Sequence, residues 1–374
     1  MIKFSSLRTV IVGAIMLFFI SGTFCFAQKP AVHYLEDLEG GAITKAQSDS
    51  IFQKVKKLSE ETVISIGLIT NGKTRFYGVK RSGDTIKTVS NSGAVFEIGS
   101  ISKVFTATML AHLVEEGRIA LDDTINKHLE VPFHKNQQIT FRSLSNHTSG
   151  LPRLPTNLTM RFEHRNNPYA NYDEVMLKNY LRDTMELAEK REMSYSNLGV
   201  GFLGYTLGEI AGSSYQQLAD SLIFKTYGMP HTTTDRAAIE DRLVLGRNGG
   251  VVVPNWDLAV LMGAGGILSN VEDLSTFIIA QFDEDNAVLA LTRTKTKTLE
   301  EGKGVGLGWF LLPQPSDALW YFHNGGTGGY RSALLMDVAH KNGIVVLSNV
   351  SANRSNSDAI DALAFALMKT LKTE

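Results

Sequence analysis

Strand-like segments stand at the two ends of this 374-residue chain and helical ones fill its middle. That order restricts the fold more than any other feature. Residues 62–70 and 73–80 are rich in β-branched and aromatic side chains, and Asn71-Gly72 between them suits the positive φ of a two-residue hairpin turn. The other strand-like segments come late, at 307–312, 319–323, 330–338 and 344–349, with Lys341-Asn342-Gly343 turning between the last two. Helical periodicity marks 49–58, a segment from about Ser100 to Gly117, then 139–147, 172–181, 198–210, 215–224, 271–281 and 358–371. The expected fold class is α/β (α+β). One antiparallel sheet, flanked by helices, is assembled from about 42–95 and 282–374, and a mainly helical lobe, about 96–281, is inserted into it. A ligand site is expected in the cleft between the lobes.

Residues 1–27 read as an export leader. Lys3 and Arg8 give a positive start, 10–20 is an uninterrupted apolar run, and Cys25-Phe26-Ala27 offers small residues for cleavage after Ala27. The alternative is a spanning anchor, but the run is short of the ~20 residues that a membrane helix needs. A periplasmic or secreted protein of residues 28–374 is expected, with membrane association only where the leader is retained. Cys25 is the only cysteine, so the exported chain has no disulfide or thiol chemistry. With 37 basic and 38 acidic residues and no basic tract, nucleic-acid binding is not expected. No His-Glu-x-x-His occurs and no two histidines stand at a ligand-pair spacing on a helix, so neither metal nor cofactor is expected.

The chemistry is carried by Ser100-Ile101-Ser102-Lys103. Serine and lysine three residues apart share a helix face, and a deprotonated lysine can take the proton of a serine nucleophile. Ser100 stands where the helix begins, so unpaired N–H groups and the positive dipole end face it. The bland alternative is a capping serine with a solvated first-turn lysine. Two further patterns follow in order. Tyr195-Ser196-Asn197 opens a glycine-rich helix, and His323-Asn324-Gly325-Gly326 ends a strand with glycines that allow close backbone approach.

With these three motifs in this order, the chain resembles the serine β-lactamase and penicillin-binding-protein superfamily. The similarity is greatest to the branch of class C β-lactamases, D-alanyl-D-alanine peptidases and related esterases. Asn146-His147-Thr148-Ser149-Gly150-Leu151-Pro152, Gly265-Gly266-Ile267-Leu268-Ser269 and Gly306-Leu307-Gly308-Trp309 match as well, and the resemblance runs from about Val63 to Leu371. It implies acyl transfer through a serine ester. Ser100 attacks, and Lys103 or Tyr195 takes the proton. Asn197 orients Lys103, and His323 stands near the Tyr195 hydroxyl to pass the proton on. Backbone N–H groups of Ser100 and Gly326 form an oxyanion hole beside Gly325.

Two positions depart from the class C pattern: His323 replaces a lysine, and Asn324 replaces a threonine that helps bind a substrate carboxylate. Thr327 or Arg331 is expected to take over that contact. A histidine at 323 is expected to make activity pH-dependent near ~6.5. Three rival residues are set aside. Tyr169-Ala170-Asn171 lies in a loop-like stretch after Pro168, Lys341 reads as a turn residue, and His147 is expected to hold a turn. The expected function is an exported serine hydrolase acting on β-lactams or D-amino-acid peptides, with small-molecule or peptide substrates as partners. The alternatives are an esterase on the same scaffold or a catalytically silent sensor.

Overall fold

The computed structural model describes residues 43–159, 166–315, 318–353 and 357–371; the expected leader, 1–27, lies outside them. Among the described residues, nine strands form the main sheet: β1 (Val63–Thr70), β2 (Lys73–Ser82), β3 (Thr85–Thr88), β4 (Lys297–Thr298), β5 (Gly304–Val305), β6 (Phe310–Pro313), β7 (Leu319–Gly326), β8 (Arg331–Asp337) and β9 (Asn342–Ser348). Their order is β3-β2-β1-β9-β8-β7-β6-β5-β4, antiparallel throughout. An early and a late strand therefore meet inside the sheet, where Ile64 of β1 pairs with Ser348 of β9. The longer helices are α1 (Lys45–Val55), α2 (Ser102–Glu115), α3 (Asn197–Ala211), α4 (Val271–Ala280) and α5 (Asp358–Met368). Among the described residues, no helix is long and apolar enough to cross a membrane.

Alternation along the central strands builds two cores. Ile64, Ile66, Leu68, Ile344 and Val346 pack against Ile51 and Val55 of α1 and Ile360 and Leu363 of α5. Ile69, Val345 and Leu347 face the other way, into a core shared with Val104 and Phe105 of α2 and Leu274 and Phe277 of α4. Helices cover both faces, so β9 reads as an unbroken apolar run rather than an alternating one.

The hairpin turn is as expected: Asn71 and Gly72 have φ of 51° and 73°. Elsewhere the boundaries shift for identifiable reasons. The first helix starts at Lys45 rather than 49, because Thr44 and Gln47 form a capping box. The turn before β9 is 338–341, since Asn342 and Gly343 already pair with Asp337 and Met336. The strand expected at 307 begins at Phe310, because Gly308 at φ 85° breaks the extended chain. Strands β3, β4 and β5 were not anticipated; each has two to four residues and carries little periodic signal.

The sheet delivers one backbone edge to the turn that carries Ser100. Residues Gly99–Ile101 form a single 3₁₀ turn before α2, entered by Gly99 at φ 52°. A Cβ on Gly99 would lie 2.5 Å from the Gly326 nitrogen, and one on Gly325 would lie 1.9 Å from the Ile98 oxygen. Only hydrogen fits at either contact. The Ser332 hydroxyl of β8 also donates to the Ile98 oxygen at 2.8 Å. Gly325→Ala is therefore expected to force β7 from this turn and to cost about 1–3 kcal/mol. A fall of several degrees in Tm by calorimetry, together with slower labelling of Ser100, is the expected result, and an unchanged Tm would refute the contact.

Candidate active site

Ser100 lies in the 3₁₀ turn, two residues before α2 proper, and no side-chain cap bond is made at that helix start. Lys103 is 1% exposed. The capping-serine and solvated-lysine alternatives therefore both fail. The lysine nitrogen lies 3.0 Å from Ser100 Oγ, 2.9 Å from Asn197 Oδ1 and 2.6 Å from the Ala264 carbonyl oxygen. No carboxylate is among these partners. Burial, and secondarily the charge of Arg153, hold the Lys103 pKa well below the usual lysine value. In its neutral form the amine donates its two protons to Asn197 Oδ1 and the Ala264 carbonyl. Its lone pair is then left for the Ser100 hydroxyl, the arrangement a general base needs.

Two of these partners, the Ala264 carbonyl and Asn197, are placed by the recognised phrases. The 265–269 phrase fixes the Ala264 carbonyl: the Ile267 N–H donates to Ser102 Oγ at 3.1 Å, and Leu268–Ser269 pairs with Phe96–Glu97. The 146–152 phrase holds the tyrosine motif. The Ser196 N–H donates to His147 Nδ1 at 3.2 Å, the Ser194 N–H to the His147 carbonyl at 2.8 Å, and the Ser196 hydroxyl to the Pro152 carbonyl at 2.6 Å. Ser196 also caps α3 by accepting from the Gly199 N–H at 2.8 Å. His147 thus acts as the expected structural residue, and its ring packs 4.4 Å from that of Tyr195.

Tyr195 presents its ring to Lys103, 4.9 Å from ring centroid to nitrogen. Burial pushes its pKa up to about 12, against a smaller opposing effect of its hydrogen bond with Ser100. Near neutral pH it is a phenol rather than a phenolate.

Tyr169, set aside on sequence grounds, stands at the site too. Its surroundings are loop, as read, but it is buried, and its hydroxyl accepts from Asn197 Nδ2 at 2.9 Å. With Lys103 on Oδ1, this bond fixes the orientation of the Asn197 amide. Arg153 and Trp256, also unread in the sequence, line the same cleft, whose volume is about 690 Å³.

The third motif is only partly where it was expected. Gly325 and Gly326 line the cleft, and the His323 ring lies 6.4 Å from that of Tyr195 and 5.6 Å from that of Phe310. His323 is 1% exposed, its Nδ1 lies 2.7 Å from the Asn324 carbonyl oxygen, and its Nε2 has no partner among the described residues. Burial, then the nearby Lys103, lowers its pKa to about 3. The expected titration near neutrality is thereby overturned. Thr327 does not face the cleft. It is 2% exposed, and its hydroxyl has no hydrogen-bond partner among the described residues. Arg331 does line the cleft, but Asp361 of α5 accepts from two of its nitrogens and also from Asn324 Nδ2 at 2.6 Å. The asparagine that replaces threonine is therefore committed to anchoring the strand end.

The depressed histidine has a consequence for stability. Between about pH 3 and the ordinary histidine value of 6.5, the unfolded chain binds a proton that the folded chain refuses at His323. His147, also lowered well below 6.5, acts in the same sense. Stability falls as pH drops through that window and is untouched above it. Thermal unfolding from pH 7.5 to 4.5 should show a shallower acid-side decline in His323→Asn than in the parent. An equal decline would place the histidine charge elsewhere.

Comparison with known proteins places the chain in a family. Residues 51–368 match the beta-lactamase family model. Protein flp of Staphylococcus aureus is 26% identical over 330 residues, covering 83% of this chain but only 64% of that relative's length. The D-alanyl-D-alanine-carboxypeptidase/endopeptidase AmpH of Escherichia coli is 25% identical over 374 residues, covering 93% of this chain and 95% of that protein. The fold is shared with a class C beta-lactamase of Rhodobacter sphaeroides, with TM-score 0.72, 20% identity, and coverage of 87% of this chain and 99% of that one. It is also shared with a beta-lactamase/D-alanine carboxypeptidase of Pseudomonas syringae, with TM-score 0.72, 21% identity, and coverage of 87% and 98%. With the family model spanning most of its length, this chain belongs to the beta-lactamase family, as a serine hydrolase of the β-lactamase type.

Proposed function

We propose that the protein is an exported acyl-transferring hydrolase that acts on β-lactams or D-amino-acid peptides through an ester at Ser100. The observation that carries this reading is the buried Lys103 amine, held by two carbonyl oxygens and facing Ser100 Oγ. Ser100 Oγ attacks the carbonyl carbon as its proton passes to Lys103. The tetrahedral oxyanion is met by the N–H groups of Ser100 and Gly326, in the narrow contact that Gly99 and Gly325 permit. Tyr195, a phenol hydrogen-bonded to Ser100, relays the proton from Lys103 to the leaving group. The neutral lysine is a better base than Tyr195, because burial favours the uncharged form of both groups: it frees the lysine's lone pair and keeps the tyrosine's proton on. His323, neutral, offers its Nε2 lone pair on the Tyr195 side of β7. The named activity of the AmpH relative supports D-alanyl peptides as one substrate class. Export rests on the composition of the leader.

Mass spectrometry of the protein mixed with benzylpenicillin, followed in time, tests the reading. The expected result is a covalent adduct that is absent in Ser100→Ala. An adduct that decays indicates turnover, and one that lasts indicates a penicillin-binding type. Labelling that persists in Ser100→Ala would refute the nucleophile.

The two tyrosines separate by magnitude. Loss of a proton relay costs about 10²–10⁴-fold. Loss of one neutral hydrogen bond costs about 0.5–1.5 kcal/mol, roughly tenfold at most. Stopped-flow acylation should therefore fall far more in Tyr195→Phe than in Tyr169→Phe. Equal losses would reverse or merge the roles.

A further inference from the structure

The cleft carries a charge pattern that the acyl-transfer reading leaves unused. Among its lining residues the full charges are Arg153, Lys303 and Arg331, all positive. Two of the three are balanced. Arg331 is gripped by Asp361, and Lys303 pairs with Glu301. Arg153 differs from both. Among the described residues, no carboxylate stands within ion-pair distance of its guanidinium, and no hydrogen bond engages it.

Arg153 is also held in place. Its carbonyl oxygen accepts from the N–H groups of Asn197 and Leu198 at 3.0 and 3.1 Å, which ties its backbone to the first turn of α3. The guanidinium carbon lies 5.3 Å from the centroid of the Tyr195 ring, the same ring that faces Lys103. An arginine stacked on an aromatic face keeps its fork of donors free at the edge, where a carboxylate can be taken by two parallel bonds. Arg153 is an exposed residue at the mouth of the cleft, and its charge contributes at Lys103, His147, Tyr169 and Tyr195, after burial in each case.

We propose that Arg153 is the anion anchor of this cleft and selects substrates carrying a free carboxylate against the wall formed by Tyr195 and Tyr169. This inference rests on the acyl-transfer reading of the same cleft and names what its substrate must carry. The carboxylate stands either on the leaving side of the scissile bond or on the acyl side. Either position satisfies the guanidinium, and the two are separable by probe.

The test uses protection of Ser100 from a neutral fluorophosphonate by three compounds. Benzylpenicillin carries one ring carboxylate. Its methyl ester carries none. Carbenicillin adds a second carboxylate on the acyl side chain. For each protein the quantity read is the ratio between the concentrations of acid and of ester that halve the labelling rate. The intact protein should favour the compound that carries the anchored carboxylate over its counterpart without it by roughly tenfold or more, a preference that Arg153→Gln erases and Arg153→Lys partly keeps, since lysine retains the charge but not the fork. Erasure of the benzylpenicillin-to-ester ratio places the carboxylate on the leaving side. Erasure confined to the carbenicillin-to-benzylpenicillin ratio places it on the acyl side. Ratios unchanged in Arg153→Gln, or the same shift for acids and ester alike, overturn the proposal. Failure of the acyl-transfer reading shows separately, as labelling that survives in Ser100→Ala.

Discussion

The structure depends on keeping a lysine amine dry. An ammonium buried as deeply as Lys103, with no carboxylate against it, is costly, and the cost is relieved when the group gives up its proton. The surroundings accommodate that outcome. Asn197 Oδ1 and the Ala264 carbonyl take the two remaining N–H donors, and Ser100 faces the lone pair. These three partners come from three distant stretches of chain, so the site exists only if α2, α3 and the 259–264 segment are locked together. Gly201 and Gly204 let α3 approach that segment: a Cβ at either would lie 2.8 or 3.0 Å from Leu261 or Gly263. The Thr106 hydroxyl of α2 bonds the Gly263 carbonyl at 2.8 Å, and Ser102 accepts the Ile267 N–H. Ser102, Lys103 and Thr106, on one side of a single helix, thus hold the same backbone run.

Much of this was legible because acyl-transfer chemistry needs short spacings. Ser100 and Lys103 are one turn apart, and Tyr195 and Asn197 straddle a helix cap. Spacings of that kind survive in the sequence whatever the fold does. The sheet built from both chain ends was legible for a similar reason, since period-2 and β-branched segments stand alone between turns. The features that were missed are contacts made at long range. Tyr169 was rejected on its local loop character, which was read correctly, yet its hydroxyl reaches Asn197 across 28 positions of sequence. The Ala264 carbonyl is a backbone atom and leaves no residue-type signal. Arg153 follows a recognised phrase directly, and its position after Leu151-Pro152 was the one clue available.

His323 shows the same limit from the side of electrostatics. A reference pKa describes an imidazole in water, and the sequence does not say that this one lies 1% exposed beside Lys103. Burial keeps this imidazole neutral. With Nδ1 protonated toward the Asn324 carbonyl, it still offers a lone pair at Nε2.

The neighbouring substitution follows from the same balance. Asn324 lines the cleft, but its Nδ2, with Arg331, is occupied by Asp361 of α5. The carboxylate of Asp361 neutralises the cation on the sheet wall, while the cation on the helical wall, Arg153, stays unbalanced. Burial favours the uncharged forms of Lys103 and Tyr195 before substrate arrives, and the unbalanced charge at the cleft beside them is positive. An oxyanion forming at Ser100 gains from that charge throughout its development. A substrate that brings its own negative charge gains from it earlier, on binding, and is oriented by the wall on which the unbalanced charge stands.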